Sequence, residues 1–389
     1  MKRLIMLNLI LLTLVGIFRP TPTNAQPLNM PLVMLISGDI WTWNPQTDSL
    51  VQLTTWGYNF KPVMSPNGDW VAYKSWATIT VDAINNNAPM NPTEPAGNIW
   101  LLDPFTGDAL RIADQAVDAV FGDVNGNDKF VARSNPVWSP DGTEIAWTEF
   151  ILPDYASNLV VYNLTSQTTR IVINGLPIGY EQQGPVDVVW GSFGIVYPTT
   201  NFNSNTQAFE DTYYVYSPQQ NGQFNSFTIS DEYTVNHGEF WFTGTEFING
   251  MENGIAIITG TNLPILINPL TGSRTDFMGM IVGYSAWQSL TQGNYVSFST
   301  YFVNDEYGLI WTAQSSDGRY LGDIGTSISY YDTFSKIAIS PDGLSMAYVA
   351  SDGSVLVWQN GSTVQLPVGN VEAITWSPML WTTNYPVGG

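Results

Sequence analysis

The sequence predicts an all-β chain, a seven-bladed β-propeller of four-stranded antiparallel blades, and three observations predict it. Two short phrases alternate along the chain, each built as strand, turn and strand. They recur at roughly fifty-residue spacing, within the range of repeat periods that mean propellers or arrays. Unpaired remnants at the two ends sum to one further four-stranded unit, which lets a ring close with no exposed edge.

In chain order, Met1, Lys2 and Arg3 precede an apolar run from Leu4 to Phe18, and Thr23-Asn24-Ala25 offers a small-residue cleavage site before Gln26. Basic, apolar and cleavable segments in that order make residues 1–25 a secretory signal peptide. The single propeller domain is then 26–389, with no stable membrane span after signal cleavage. The first phrase appears as DIWTWNPQTDSLVQL (Asp39 to Leu53), NIWLLDPFTGDALRI (Asn98 to Ile112) and NLVVYNLTSQTTRI (Asn158 to Ile171), and more loosely from Leu263 to Phe277. Apolar residues lead into a turn drawn from Asn, Asp, Pro, Thr and Gly and then resume, as two antiparallel strands do. The second phrase reads VMSPNGDWVAY (Val63 to Tyr73), VWSPDGTEIAW (Val137 to Trp147) and AISPDGLSMAY (Ala338 to Tyr348), with echoes from Val188 to Tyr197 and from Ile374 to Trp381. Proline presets one turn dihedral, Asx bonds its own backbone and Gly takes positive φ.

Six units start near Phe60, Pro136, Pro185, Gly238, Tyr284 and Ser335. Leu32 to Ile36, Ile40 to Trp43 and Leu50 to Thr54 are three strands lacking a first member, and Ile374 to Ser377 is one strand lacking partners. Together they are the seventh blade and join the chain ends. The stretch from Glu232 to Gly283 is degenerate, and a six-bladed count follows if it is read differently.

The SPDG-type phrase, the apolar strand after it and the Ile/Leu-Trp/Tyr strand with its Asx turn resemble the WD40-like repeats of the TolB propeller family. Similar repeats occur in the propellers of prolyl-oligopeptidase-type enzymes. The resemblance covers the mature chain, without the N-terminal α/β domain of TolB or a peptidase domain. It implies the fold, an envelope or extracellular setting, and protein or peptide binding at a channel mouth.

The chain has no cysteine, which excludes disulfides, thiolate metal sites and cysteine nucleophiles. The 364 residues that remain after signal removal bury a core without them. Acidic residues number 33 against 12 basic ones, and loss of Lys2, Arg3 and Arg19 takes the formal charge from −21 to −24. That surface repels nucleic acid and anionic lipid. Charged residues are 12% of the chain, about half the usual share, so Asn, Gln, Ser, Thr and aromatic residues must build much of the surface.

Catalytic signals are sparse. His237 is the only histidine and no serine sits in a GxSxG elbow, which leaves no nucleophile and base pair and no common zinc or copper site. A propeller glycosidase needs carboxylates converging from several blades; Glu149 and Glu239 lack an evident turn role, but no motif singles them out. Asp123, Asn125 and Asn127 place oxygen ligands two residues apart, as in the first half of an EF-hand loop, and make calcium the one candidate cofactor. The pattern departs from an EF-hand because Asp128 replaces the turn Gly and Ser134 replaces the twelfth-position Glu.

Specific function is expected in the insertions, since a propeller's strands are scaffold and its loops vary. These are Ala77 to Ala96, Val117 to Ser134, Asn201 to Asp211 and Phe302 to Tyr307. Trp76, Tyr155, Phe202, Phe209, Tyr213, Tyr301 and Tyr307 lie in or beside them and are the binding-loop candidates. The expected function is a secreted, non-catalytic recognition propeller that binds a protein, peptide or cell-envelope component. The alternatives are an extracellular carbohydrate-active enzyme and a structural surface protein.

Overall fold

The computed structural model describes residues 31–88, 94–179, 184–191, 194–205, 208–217, 353–359 and 362–376 as continuous stretches. Between 218 and 352 it describes the strand segments alone, and beyond 376 only Trp381–Thr382. The expected signal peptide, His237 and Glu239 lie outside the described residues.

The chain is all-β. Its described strands form seven antiparallel sheets, met here in chain order. In the first, Leu32–Ile36, Asp39–Asn44 and Ser49–Gln52 follow one another, and Val371–Thr375 pairs with the outer side of Leu32–Ile36, with Met34 opposite Ile374. The sequence remnants at the two ends of the chain therefore share one sheet. The second comprises Asn59–Met64, Val71–Trp76, Gly97–Leu102 and Ala109–Ala113. In the third, Glu144–Ile151, Ala156–Asn163 and Thr168–Asn174 follow a first strand split into Val131–Arg133 and Val137–Trp138. Pro136 lies at the split, where it has no N–H for the ladder.

The fourth sheet is Val189–Gly191, Gly194–Asn203, Ala208–Ser217 and Gln223–Ile229. The degenerate stretch holds the fifth, made of Glu246–Phe247, Ile255–Ile258, Pro264–Ile267 and Arg274–Asp276. Ser285–Ser289, Tyr295–Val303, Glu306–Gln314 and Tyr320–Ile328 form the sixth, with Trp381–Thr382 added at its first strand. The seventh is Ile337–Ile339, Ser345–Val349, Val355–Gln359 and Ser362–Gln365.

The turns follow the chemistry of the two phrases. In each described second-phrase turn the glycine is left-handed, Gly68 at φ 78° and Gly142 at φ 70°, and donates to the serine carbonyl. The serine hydroxyl accepts from the backbone five residues on, Ser65 from Trp70 at 3.0 Å and Ser139 from Glu144 at 2.9 Å. In the first phrase the Asx side chain caps its own turn: Asn44 accepts from Gln46, Asp103 from Phe105 and Asn163 from Ser166.

Alternation along the central strands gives the described interfaces, from the seventh sheet through the first to the fourth, an apolar layer. Leu32 and Met34 pack toward the seventh sheet with Ala347, Val357 and Trp376, while Val33 and Leu35 pack toward the second with Met64 and Val71. Ala72, Ile99 and Leu101 meet Trp138, Ile145 and Trp147 of the third sheet, whose opposite face, through Ala146, Leu159 and Val161, meets Ile195 and Tyr197 of the fourth. Trp147 is wholly buried, and truncating such a side chain to Ala costs about 3–5 kcal/mol.

One element was not anticipated. Thr78–Asn85 is an α-helix inside the first insertion, although its run Thr-Ile-Thr-Val disfavours a helix intrinsically. Packing decides: Thr80, Val81 and Ala83 are buried, and the Thr80 hydroxyl donates to the Ala96 carbonyl at 2.9 Å.

Candidate functional site

In an antiparallel four-stranded unit, the connection between second and third strands and the exit from the fourth emerge at the same end. The first insertion, 77–96, is of the former kind; the second, expected over Val117 to Ser134 and spanning 114–130 between the strands Ala109–Ala113 and Val131–Arg133, is of the latter. They pack together: Ala77, Ala83 and Ala96 share one cluster with Phe121, Phe130 and Phe150, and the Phe121 and Phe130 rings meet edge to face at 4.9 Å. Arg133, buried beneath, donates to Gly97 O at 2.7 Å, Asp114 O at 3.0 Å and Glu149 Oε1 at 2.8 Å. Glu149, the carboxylate without an evident turn role, is thereby an ion-pair partner that also accepts from Trp147 Nε1.

The second insertion is a small hairpin closed by a Val120 to Lys129 bridge and an Asp118–Lys129 ion pair. The three residues of the calcium expectation do converge. Asp123 accepts from the backbone and side-chain nitrogens of Asn125 and of Asn127, at 2.8–3.2 Å. These donors, the Asn125 backbone first, hold the Asp123 carboxyl below its usual value. Asp128 braces the same turn, accepting from Gly122 and Asp123 nitrogens. Among the described residues no group of three or more His, Cys, Asp or Glu side chains could hold a metal.

The aromatic candidates separate by position. Tyr155 is 61% exposed between the second and third strands of its sheet, with its ring edge to face on Phe150. Phe202 is 40% exposed and stands opposite Phe209 near the end of a long hairpin. Within the loop expected over Asn201 to Asp211, Asn201, Phe202 and Asn203 instead continue one strand and pair with Glu210, Phe209 and Ala208 of the next. On either side of residues 304–305 the strands likewise pair: Tyr301 stands opposite Gly308 and Phe302 opposite Tyr307. Tyr213 is a correction. It lies inside Ala208–Ser217 and is 1% exposed, sharing strand parity with buried Val215, so it offers nothing to a surface partner.

Trp76 opens onto a feature the sequence did not single out, a cleft of about 300 Å³ between the second sheet and the connection that leads into it from the first. Its aromatic walls are Trp56, Tyr73, Trp76 and Trp100. Trp76 stacks on Tyr58 at 5.3 Å, and Trp56 meets Tyr58 edge to face and donates to the Trp76 carbonyl. Trp100 lies parallel to Tyr73 and donates to Ser75 Oγ at 2.8 Å. Burial pushes the Tyr73 hydroxyl far up, so it stays protonated.

Arg111 lies over Trp100 at 5.3 Å from the ring centroid and pairs with Asp114 at 2.9 Å. Asn98, 4% exposed, lines the cleft, and its Oδ1 is buried with no hydrogen-bond partner among the described residues. Such an orphan acceptor costs about 1–3 kcal/mol. Asp39 fixes the cleft's rim by accepting from Thr54, Gly57 and Asn59. Gly38 must be glycine there, since at φ 77° a Cβ would stand 2.2 Å from the Gly57 carbonyl oxygen.

A second polar cluster joins three sheets. Asp187 accepts from the Asn135 backbone and side chain at 2.8–2.9 Å and pairs with Lys61 at 3.3 Å, while Lys74 pairs with Glu94 of the first insertion. Burial pushes the Asp187 carboxyl up, but the charge of Lys61, the Asn135 donors and the charge of Lys74 outweigh it and hold it below its ordinary value.

No helix among the described residues is long and apolar enough to cross a membrane. No family model and no curated protein matches the chain. Among solved structures it is similar to TolB from Acinetobacter baumannii, at 12% identity and TM-score 0.40, with 90% of this chain and 66% of that one covered. The β-propeller domain of the Trilobed protease from Pyrococcus furiosus gives 12% identity, TM-score 0.46 and coverages of 80% and 85%. The Cps50 (Swd1) β-propeller domain of Myceliophteria thermophila gives 10%, 0.47, 84% and 91%. The structural neighbours of this chain are thus TolB and other WD40-like β-propellers, at low sequence identity.

Proposed function

We propose that the chain is a secreted, non-catalytic recognition propeller that binds a protein, peptide or cell-envelope component through the end that carries its insertions. The seven sheets are its blades, and the sheet shared by Leu32–Ile36 and Val371–Thr375 closes the ring. The adjacency of first strands supports that arrangement: Val189–Gly191 lies against Glu246–Phe247, then in turn Ser285–Ser289, Ile337–Ile339, Val371–Thr375 and Asn59–Met64. Secretion rests on the order of basic, apolar and small residues up to Ala25.

One observation carries the recognition reading. Two insertions that both leave the second sheet share a core of their own at one end, beside exposed Tyr155, while the Ser65 to Gly68 and Ser139 to Gly142 turns lie at the other end of the second and third sheets. A non-catalytic role is supported by Glu149, whose carboxylate is taken up by Arg133. Calcium at Asp123 is a secondary proposal, in which the Asn125 and Asn127 amides turn their oxygens inward.

The test is capture from envelope extract and culture medium on immobilised chain 26–389, in parallel with Tyr155→Ala and Phe202→Ala. The expected result is one dominant component retained by the parent and released by the variants. A folded parent that retains nothing sensitive to either change overturns the reading.

A further inference from the structure

We infer that the cleft between the second sheet and its incoming connection is a binding site for one neutral sugar ring of an uncharged glycan. The inference rests on the recognition reading only in treating the site as one that binds without transforming its ligand. A volume of about 300 Å³ is at the small end of small-molecule sites, the scale of one or two rings and too small for a folded surface.

The lining decides the class. Trp56, Trp76 and Trp100 supply flat apolar faces, which match the C–H face of a pyranose. Between them stand short neutral polar groups, Thr54, Ser75, Thr78 and Asn98, whose donors and acceptors suit a rim of hydroxyls. The Oδ1 of Asn98 has no partner among the described residues, and a turn of its carboxamide presents that oxygen to a ligand O–H.

Charge narrows the choice further. Arg111 is the one charged lining residue, and Asp114 and the Trp100 face already engage it. No free cation therefore waits for an acidic sugar, and a formal charge of −21 repels one at long range. None of the lining residues is a carboxylate, so the pair that glycoside hydrolysis needs is missing from the cleft.

Calorimetric titration of chain 26–389 with neutral hexasaccharides of glucose, xylose and N-acetylglucosamine, and with anionic hexagalacturonate, tests this. At least one neutral oligosaccharide is expected to bind, with affinity about tenfold or more weaker in Trp56→Ala and partly restored in Trp56→Phe. Trp56 is 42% exposed, so its loss leaves the fold intact, as near-ultraviolet circular dichroism will verify. The inference is overturned if a folded chain binds none of the neutral sugars, if hexagalacturonate alone binds, or if binding is unchanged in Trp56→Ala. Sugar binding with failed capture leaves the cleft standing and removes the insertion-end reading; capture without sugar binding does the reverse.

Discussion

Replacing Arg133 with Met asks whether one buried cation holds both insertions in place. Arg133 is 5% exposed, and its three hydrogen bonds reach Gly97, where the first insertion ends, Asp114, where the second begins, and Glu149 between them. Met fills most of the aliphatic volume, so the cavity term is small and the cost lies in what is stranded. Glu149, with its side chain 14% exposed, keeps only the Trp147 indole at 3.2 Å, and a buried charge robbed of its partner costs about 3–5 kcal/mol. Each carbonyl left without its donor adds up to about 1 kcal/mol, while relaxation and water penetration limit the sum. Urea unfolding at pH 7, followed by tryptophan fluorescence, should show a loss of about 3–5 kcal/mol, a midpoint shift of roughly 1–1.7 M at a slope of about 3 kcal/mol/M. Adding Glu149→Leu should restore at least half, because the double variant strands no charge. A single variant within about 1 kcal/mol of the parent, or a double variant no better than the single, would refute the argument.

Three further outcomes follow from named contacts. Burial pushes the Glu144 carboxyl up, but the Arg170 and Asn163 donors and the Arg170 charge hold it below its ordinary value, and the Ser139 and Thr143 donors do the same for Asp141 against its burial. A depressed folded pKa gives stability that is present above the unfolded value near 4 and lost as pH falls through the folded one; thermal midpoints between pH 7 and pH 2 should fall on the acid side, less steeply in Glu144→Gln. Gly142→Ala forces a Cβ onto φ 70°, 3.3 Å from Pro66 Cδ, and should cost about 1–2 kcal/mol in urea, whereas no loss would show that the turn relaxes freely. If the Asp123 loop holds calcium, the melting temperature should rise in millimolar calcium over chelator, and Asp123→Ala should abolish the rise; equal parent values in both buffers remove the calcium proposal.

The sheets were legible because the two phrases specify turns, and turns set register. Ser65, Asn44 and Asp103 each do locally what their residue types predict, and alternation then assigns Leu32 and Met34 to one neighbour and Val33 and Leu35 to the other. The Thr78–Asn85 helix was not legible, because its β-branched run points to strand and only the contacts of Thr80, Val81 and Ala83 outweigh that preference. Tyr213 failed for a related reason. The alternation that would have marked it as inward was there, but a polar run from Asn201 to Asp211 reads as loop until its cross-strand partners are known.

The cleft was hidden by the repeat itself. Trp41 and Trp100 occupy the same place in successive copies of the first phrase, after Ile40 and Ile99, so the sequence gives both the same blade-packing role. Trp41 keeps that role, partly buried against the cluster shared with the seventh sheet. Trp100 is likewise partly buried against the cluster shared with the first sheet, but it also has Ser75 beside its indole nitrogen, Arg111 over its ring and the Thr54 to Asn59 connection in front, and so becomes a wall as well. A specific site in a repeat protein thus arises where one copy's neighbours differ while its own residues do not. The signal to seek in such a sequence is the departure of a connection, here TTWGYN from Thr54 to Asn59, next to an unaltered repeat aromatic.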